Sequence, residues 1–136
     1  MRNFLITIAL AAIFGSYACT DKTVVASIDN TSWQLKKIVE GTTTQIPPAG
    51  VKTTANFNAG KITGNGGCNT YNGSYVLSGN RLTFGSDVIS TKMFCQAAND
   101  WEMRYFHALH GELQWKISGN TLTLQGVEMS LVFEKQ

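Results

Sequence analysis

The side chains able to do chemistry in this chain are few and widely scattered. Two histidines, His107 and His110, stand at i, i+3 in the segment NDWEMRYFHALH (99–110). On a helix that spacing puts both on one side, where Glu102 or Glu112 could complete a metal set. No HExxH or Cys-x-x-Cys pattern accompanies them, so the expectation is two half-exposed helix histidines and no metal. Cys68 or Cys95 could act as a nucleophile beside a histidine, or the two could pair in an oxidising compartment. The nine acids are spread along the chain, and the near neighbours Asp100 and Glu102 are accounted for by a helix start. Asn99 reads as the N-cap and Glu102, at N3, as the return half of a capping box. The glycine-rich GNGGCN (64–69) lacks both the Lys-Ser/Thr and the helix start of a phosphate-cradling loop. A protein without catalytic residues, metal or cofactor is therefore expected.

The residues most able to bind something lie in and near that glycine-rich stretch. Thr63 to Tyr75 carries Gly64, Gly66, Gly67 and Gly73, with Asn65, Asn69 and Asn72 between them. Gly and Asn tolerate φ > 0 at low cost, so a sharp, ordered corner between two strands is expected. Asn65, Asn69, Tyr71 and Asn72, with Thr91 and Lys92 from a second loop, form the candidate binding surface. The competing role for the asparagines is to hydrogen-bond the turn backbone. Tyr71 stands out because burial in such a corner is least assured. Trp33, Trp101, Trp115, Tyr75 and Tyr105 could line a ligand groove, since Trp and Tyr suit sites with one wet side, but most of them are expected in the core.

The elements that must position these residues follow from bulk properties and pattern. The chain has 136 residues, a net charge of +2 and 15% charged residues, with no basic patch to suit nucleic acid. Residues 1–18 read as a signal peptide: Arg2 is the basic region and Phe4 to Phe14 an apolar stretch too short to span a bilayer stably. Ser16-Tyr17-Ala18-Cys19 resembles a lipoprotein cleavage site, in which Cys19 would be acylated. Ser16 stands where such sites usually carry Leu, and an ordinary signal-peptidase site is the alternative. Residues 19–30 read as a lipid-anchored tether. Thr20 in place of Asp after the cysteine favours the outer membrane.

From residue 31 to 136 one domain is expected. Trp33 and Leu35, then with a slip Ile38 and Val39, give a first strand with one buried face. Gly41 to Gly50, with Pro47-Pro48, reads as a loop. Strands follow at Val51–Phe57, Lys61–Gly64 and Gly73–Leu77. Tyr75–Phe84 and Trp115–Leu124 share the string aromatic-x-aliphatic-Ser-Gly-Asn-x-Leu-Thr-apolar, read as two hairpins turning at Ser-Gly-Asn. Trp101, Tyr105, Ala108 and Leu109 form one apolar stripe on a helix from Asn99 to His110, stopped by Gly111. Thr121–Gln125 and Met129–Glu134 close the chain. The fold class is mainly β (α+β): an antiparallel, strongly curved sheet or partly closed barrel of about eight strands with one helix packed on it.

Trp33-Gln34-Leu35, the GNGGCN-x-Tyr-x-Gly-x-Tyr core from Gly64 to Tyr75, Thr91-Lys92-Met93-Phe94-Cys95, the helix and the closing strands together resemble the META domain, or HslJ-like, family of bacterial envelope proteins. The resemblance implies export and a stress-tolerance setting but no defined biochemical activity. The matching cysteine positions, export, and the acylation of Cys19 together imply a disulfide between Cys68 and Cys95. The expected function is a non-catalytic binding or interaction module supporting the envelope under stress. The alternative is a periplasmic carrier of a small apolar ligand or antibiotic; a thiol enzyme comes third. Expected partners are the membrane, through the anchor, and an envelope protein or small ligand, with the chain a monomer. A carrier needs an apolar cavity of a few hundred Å3. An interaction module needs an exposed apolar patch, and a thiol enzyme a free cysteine of low pKa.

Overall fold

Alternation of apolar and polar residues makes most of the strands one-faced, and a curved sheet of such strands buries its apolar face by closing on itself. A computed structural model describes residues 26–136. Cys19, the signal segment and most of the tether lie outside the described residues. Among the described residues ten strands form one antiparallel sheet. They are β1 (Thr31–Glu40), β2 (Thr43–Gln45), β3 (Thr54–Asn58), β4 (Lys61–Asn65), β5 (Thr70–Ser78), β6 (Arg81–Phe84), β7 (Ile89–Ser90), β8 (Glu112–Ser118), β9 (Thr121–Gln125) and β10 (Met129–Lys135). The order β10-β9-β8-β6-β5-β4-β3-β1 returns to its start because β10 also pairs with β1, giving a closed eight-stranded barrel. The two extra strands are β2, on β1, and β7, on β5.

The barrel is filled by inward side chains, among them Trp33, Leu35, Phe57, Ile62, Leu122 and Phe133. Burial of each such side chain is worth about 1.5–3 kcal/mol. The slip in the first strand is a register shift against β10 between Leu35 and Lys37. Leu35 and Ile38 can then both point inward although they are three residues apart.

The two ends of the barrel differ. The turns Asn58–Lys61, Ser78–Arg81 and Ser118–Thr121 all fall at one end, where the chain enters β1. In the two Ser-Gly-Asn turns only the glycines, Gly79 and Gly119, take positive φ, at 58° and 59°. The long connections fall at the other end, and α1 (Asn99–Ala108) lies across it. Trp101, Tyr105, Ala108 and Leu109 point inward, as the stripe predicts.

Several boundaries differ from expectation. The proline loop contains β2, a three-residue edge strand too polar to register as a period. The strand expected from Val51 starts at Thr54, and β5 starts at Thr70, so half of the corner is regular strand. Ile28, assigned to the tether, is fully buried in the core, and the Tyr75 hydroxyl donates to Asp29. The N-cap of α1 is Ala98, with no side-chain cap hydrogen bond, and the helix ends at Ala108. Glu102 is used elsewhere.

Candidate functional site

The corner runs from Gly66 to Asn69, between β4 and β5, directly under α1. Gly66 has no room for a side chain: a Cβ there would lie 2.6 Å from the Phe106 ring and 2.8 Å from Glu102 Cγ. Gly67 has φ 132°, which L side chains rarely adopt. Asn65 serves the turn itself, its Oδ1 accepting the Gly67 N–H at 2.7 Å.

Glu102 is a buried carboxylate held by the corner. Its Oε2 accepts the backbone N–H groups of Cys68 (2.6 Å) and Asn69 (2.8 Å), and its Oε1 accepts the Asn69 side-chain amide at 2.5 Å. Backbone donors of a Gly-rich turn make an anion-binding concavity. Here the chain's own carboxylate occupies it, and all three contacts are charge-assisted. Beside it the Trp101 indole donates to Thr53 Oγ1, which donates to the Gly66 carbonyl, each at 2.8 Å.

Asn69 carries the arrangement across to the second loop. Its Oδ1 accepts from the Met93 N–H (2.7 Å) and the Thr91 hydroxyl (2.8 Å), while its Nδ2 also donates to the Met93 carbonyl at 2.9 Å. Cys68 and Cys95 are joined in a disulfide, with their Cα atoms 5.9 Å apart. Bonded in this way, neither presents a thiolate. The segment 91–95 is therefore fixed covalently at one end and by side-chain hydrogen bonds along its length.

Beside Thr91 and Lys92, this segment displays two apolar side chains. Met93 and Phe94 are 63% and 76% exposed, and Met103, on the outer side of α1, is 63% exposed. Together with Lys92, Asn69 and Phe106 they line a hollow of about 290 Å3. A larger hollow of about 580 Å3 continues along the outer face of the helix, past Phe106, His107 and His110 to Met129. Both lie outside the barrel.

Of the candidate binding residues, the structure brings together Asn69, Thr91 and Lys92. Asn65 belongs to the turn, and Asn72 faces solvent on β5. Tyr71, singled out for exposure, is instead buried. Its hydroxyl donates to the Thr54 carbonyl at 2.9 Å and so must accept from the Tyr105 hydroxyl 2.5 Å away. Burial and the neighbouring Tyr105 push the Tyr71 phenol well above its ordinary pKa, and burial does the same to Tyr105. Most of the weighed aromatics are core, though Trp115 is only half-buried. His107 and His110 are exposed, and among the described residues no group of three or more His, Cys, Asp and Glu side chains could hold a metal ion.

Sequence reasoning gave Glu102 the wrong role and missed Met93, Phe94, Met103 and Phe106. A signal existed for Glu102, which shares a helical face with Tyr105 and Leu109 at i, i+3 and i+7, so a carboxylate stands inside the buried stripe. Met93 and Phe94 are adjacent apolar residues, a pattern that a one-faced strand would not produce.

A solved NMR structure of a protein from Burkholderia xenovorans is 23% identical to this chain, with a TM-score of 0.68, and covers 100% of this chain and 99% of that one. A second NMR structure is 21% identical, with a TM-score of 0.63, and covers 81% of this chain and 95% of that one. At these identities the likeness speaks for the fold alone. No curated protein matches. The family model for the META domain matches residues 26–136, all of the described structure, and the chain belongs to the META domain family.

Proposed function

We propose that this protein is a non-catalytic interaction module of the bacterial envelope, anchored through Cys19 in the outer membrane and acting in stress tolerance. One observation carries the reading: Met93 and Phe94 are held outward on a segment fixed by a disulfide and by Asn69, beside the exposed Met103 of α1. Apolar side chains on a rigid, preorganised loop lose little entropy on binding, which suits a contact surface. Methionine adds adaptability to differently shaped partners. The carrier reading draws less support, because the barrel is packed with Trp33, Phe57, Tyr105 and Phe133 and the hollows lie outside it.

The test is capture from cross-linked envelopes. Wild-type protein is expected to retain a defined envelope protein that a Phe94→Ser/Met103→Ser variant loses at unchanged stability. Equal retention by both would overturn this surface as the contact site.

A further inference from the structure

The barrel wall has a notch beside β7. β6 pairs with β8 over only three positions, Arg81↔Gln114, Leu82↔Leu113 and Thr83↔Glu112. Past Phe84 the chain crosses Gly85 to Val88 and continues along β5 as β7. β8 does not follow, because on that side the chain leaves Glu112 for Gly111, His110 and the helix. Among the described residues no strand pairs with the outer edge of β7.

The register says which groups that edge offers. Ser90 stands opposite Tyr71, and the Thr91 N–H donates to the Thr70 carbonyl at 3.0 Å. In an antiparallel ladder this makes Tyr71 and Ser90 a non-hydrogen-bonded pair, so the N–H and C=O of Ser90 point away from β5. A hollow of about 360 Å3 lies here, lined by Val88, Ile89, Ser90, Lys92, Phe106 and His110. One wall is thus a strand edge, the other is the C-terminal half of α1, and the space has the position a longer β8 would fill.

Side chains in the hollow indicate what fits. Phe106 and Val88 provide an apolar surface for one inward side chain. Lys92 is exposed, and among the described residues no carboxylate lies within salt-bridge distance of it. The two cations near this face differ in availability, since Arg104 is already paired with Glu40 at 2.8 Å. Lys92 is the one left to meet an incoming charge.

We infer that this notch takes an extended peptide segment of a partner protein, added as a strand to the edge of β7, with an apolar side chain against Phe106 and a carboxylate at Lys92. Main-chain hydrogen bonds give such strand addition its affinity, and the alternate side chains give it specificity. The inference rests on the interaction reading above and names the partner's form. The exposed Met93 and Phe94 lie on the far side of Lys92 and extend the same surface.

The test is selection of random linear peptides on the protein. Enriched peptides are expected to combine an acidic residue with apolar residues at i, i+2. They should compete with one another and shift the backbone amide resonances of Ser90 and Lys92. Ser90→Pro removes the outward N–H without touching a β5 hydrogen bond, and should weaken the selected peptides about tenfold, the order expected for one such bond. Lys92→Glu should weaken acidic peptides by a similar factor. N-methylation of alternate peptide amides should abolish binding while leaving every side chain in place. The inference is overturned if no peptide is enriched, or if the enriched peptides bind Ser90→Pro and N-methylated forms as well as the originals. An envelope protein captured through Phe94 and Met103 without any peptide enrichment would overturn strand addition alone. Failure of capture as well would overturn the interaction reading itself.

Discussion

Glu102 and Asn69 are joined twice, Oε2 of the carboxylate accepting the Asn69 backbone N–H at 2.8 Å and Oε1 accepting its side-chain amide at 2.5 Å. Every partner of Glu102 named above is a donor. The pair links the helix to the corner and, through Asn69 Oδ1, to the segment 91–93.

Glu102→Gln is therefore not a mild change. An amide nitrogen in place of either oxygen would face an N–H donor in a buried site, so a loss of about 2–3 kcal/mol is expected. Urea unfolding with an unchanged m-value would measure it. A loss below about 0.5 kcal/mol would mean that the hydrogen bonds described do not contribute.

Removing the disulfide by Cys68→Ser/Cys95→Ser should cost roughly 3–4 kcal/mol in the chain-entropy model. The segment 91–93 should nevertheless keep its place, because Asn69 holds it independently. Amide exchange at Met93 is the readout. Protection lost together with the disulfide would show that the covalent bond alone fixes the loop.

Gly66→Ala should be among the most damaging single changes in the corner, because the added methyl meets the Phe106 ring and Glu102 at once. A loss of about 1–3 kcal/mol is expected from overpacking. Phe106→Ala made together with it should recover part of that loss, and simple additivity of the two in thermal melts would refute the clash.

The tyrosines predict alkaline instability. Burial, and then the hydrogen bond to Asp29, push the Tyr75 phenol up from 10.0 to about 12, and Tyr71 and Tyr105 are raised as well. A raised phenol stays protonated in the folded chain while the unfolded chain loses its proton. The stability is thus complete below about pH 10 and drains away as pH climbs toward about 12. Phenolate absorbance should rise together with unfolding rather than ahead of it. Tyr105→Phe should leave less of this dependence.

Cys19→Ala should abolish lipid labelling and membrane fractionation while leaving the domain's melting temperature unchanged. Wild-type protein found unlabelled in the soluble periplasmic fraction would sink the anchored reading.

The barrel was legible in the sequence because strands with one buried face alternate, and because the Ser-Gly-Asn turns fix their hairpins by themselves. The stripe of Trp101, Tyr105, Ala108 and Leu109 was legible for the same local reason. Closure of β10 on β1 was not, since nothing in either strand names its partner. Glu102 was misread because a helix-start carboxylate has a local explanation that competes with the long-range one, and here the corner's backbone donors won. Tyr71 was misread because its partner, Tyr105, is 34 residues away in sequence.

The pairing of β1 with β10 has a kinetic meaning. Five of the other joins in the barrel wall are hairpins, which form quickly, and β1–β3 and β6–β8 pair residues only about 30 positions apart. The β1–β10 seam brings together residues about a hundred positions apart, such as Trp33 and Lys135, and its loop-closure cost must be met before its contacts return anything. Folding should therefore be governed by the last seam rather than by the hairpins. Until it closes, the chain is an open sheet with two bare edges, and that is the state in which it is most exposed to mispairing with its neighbours.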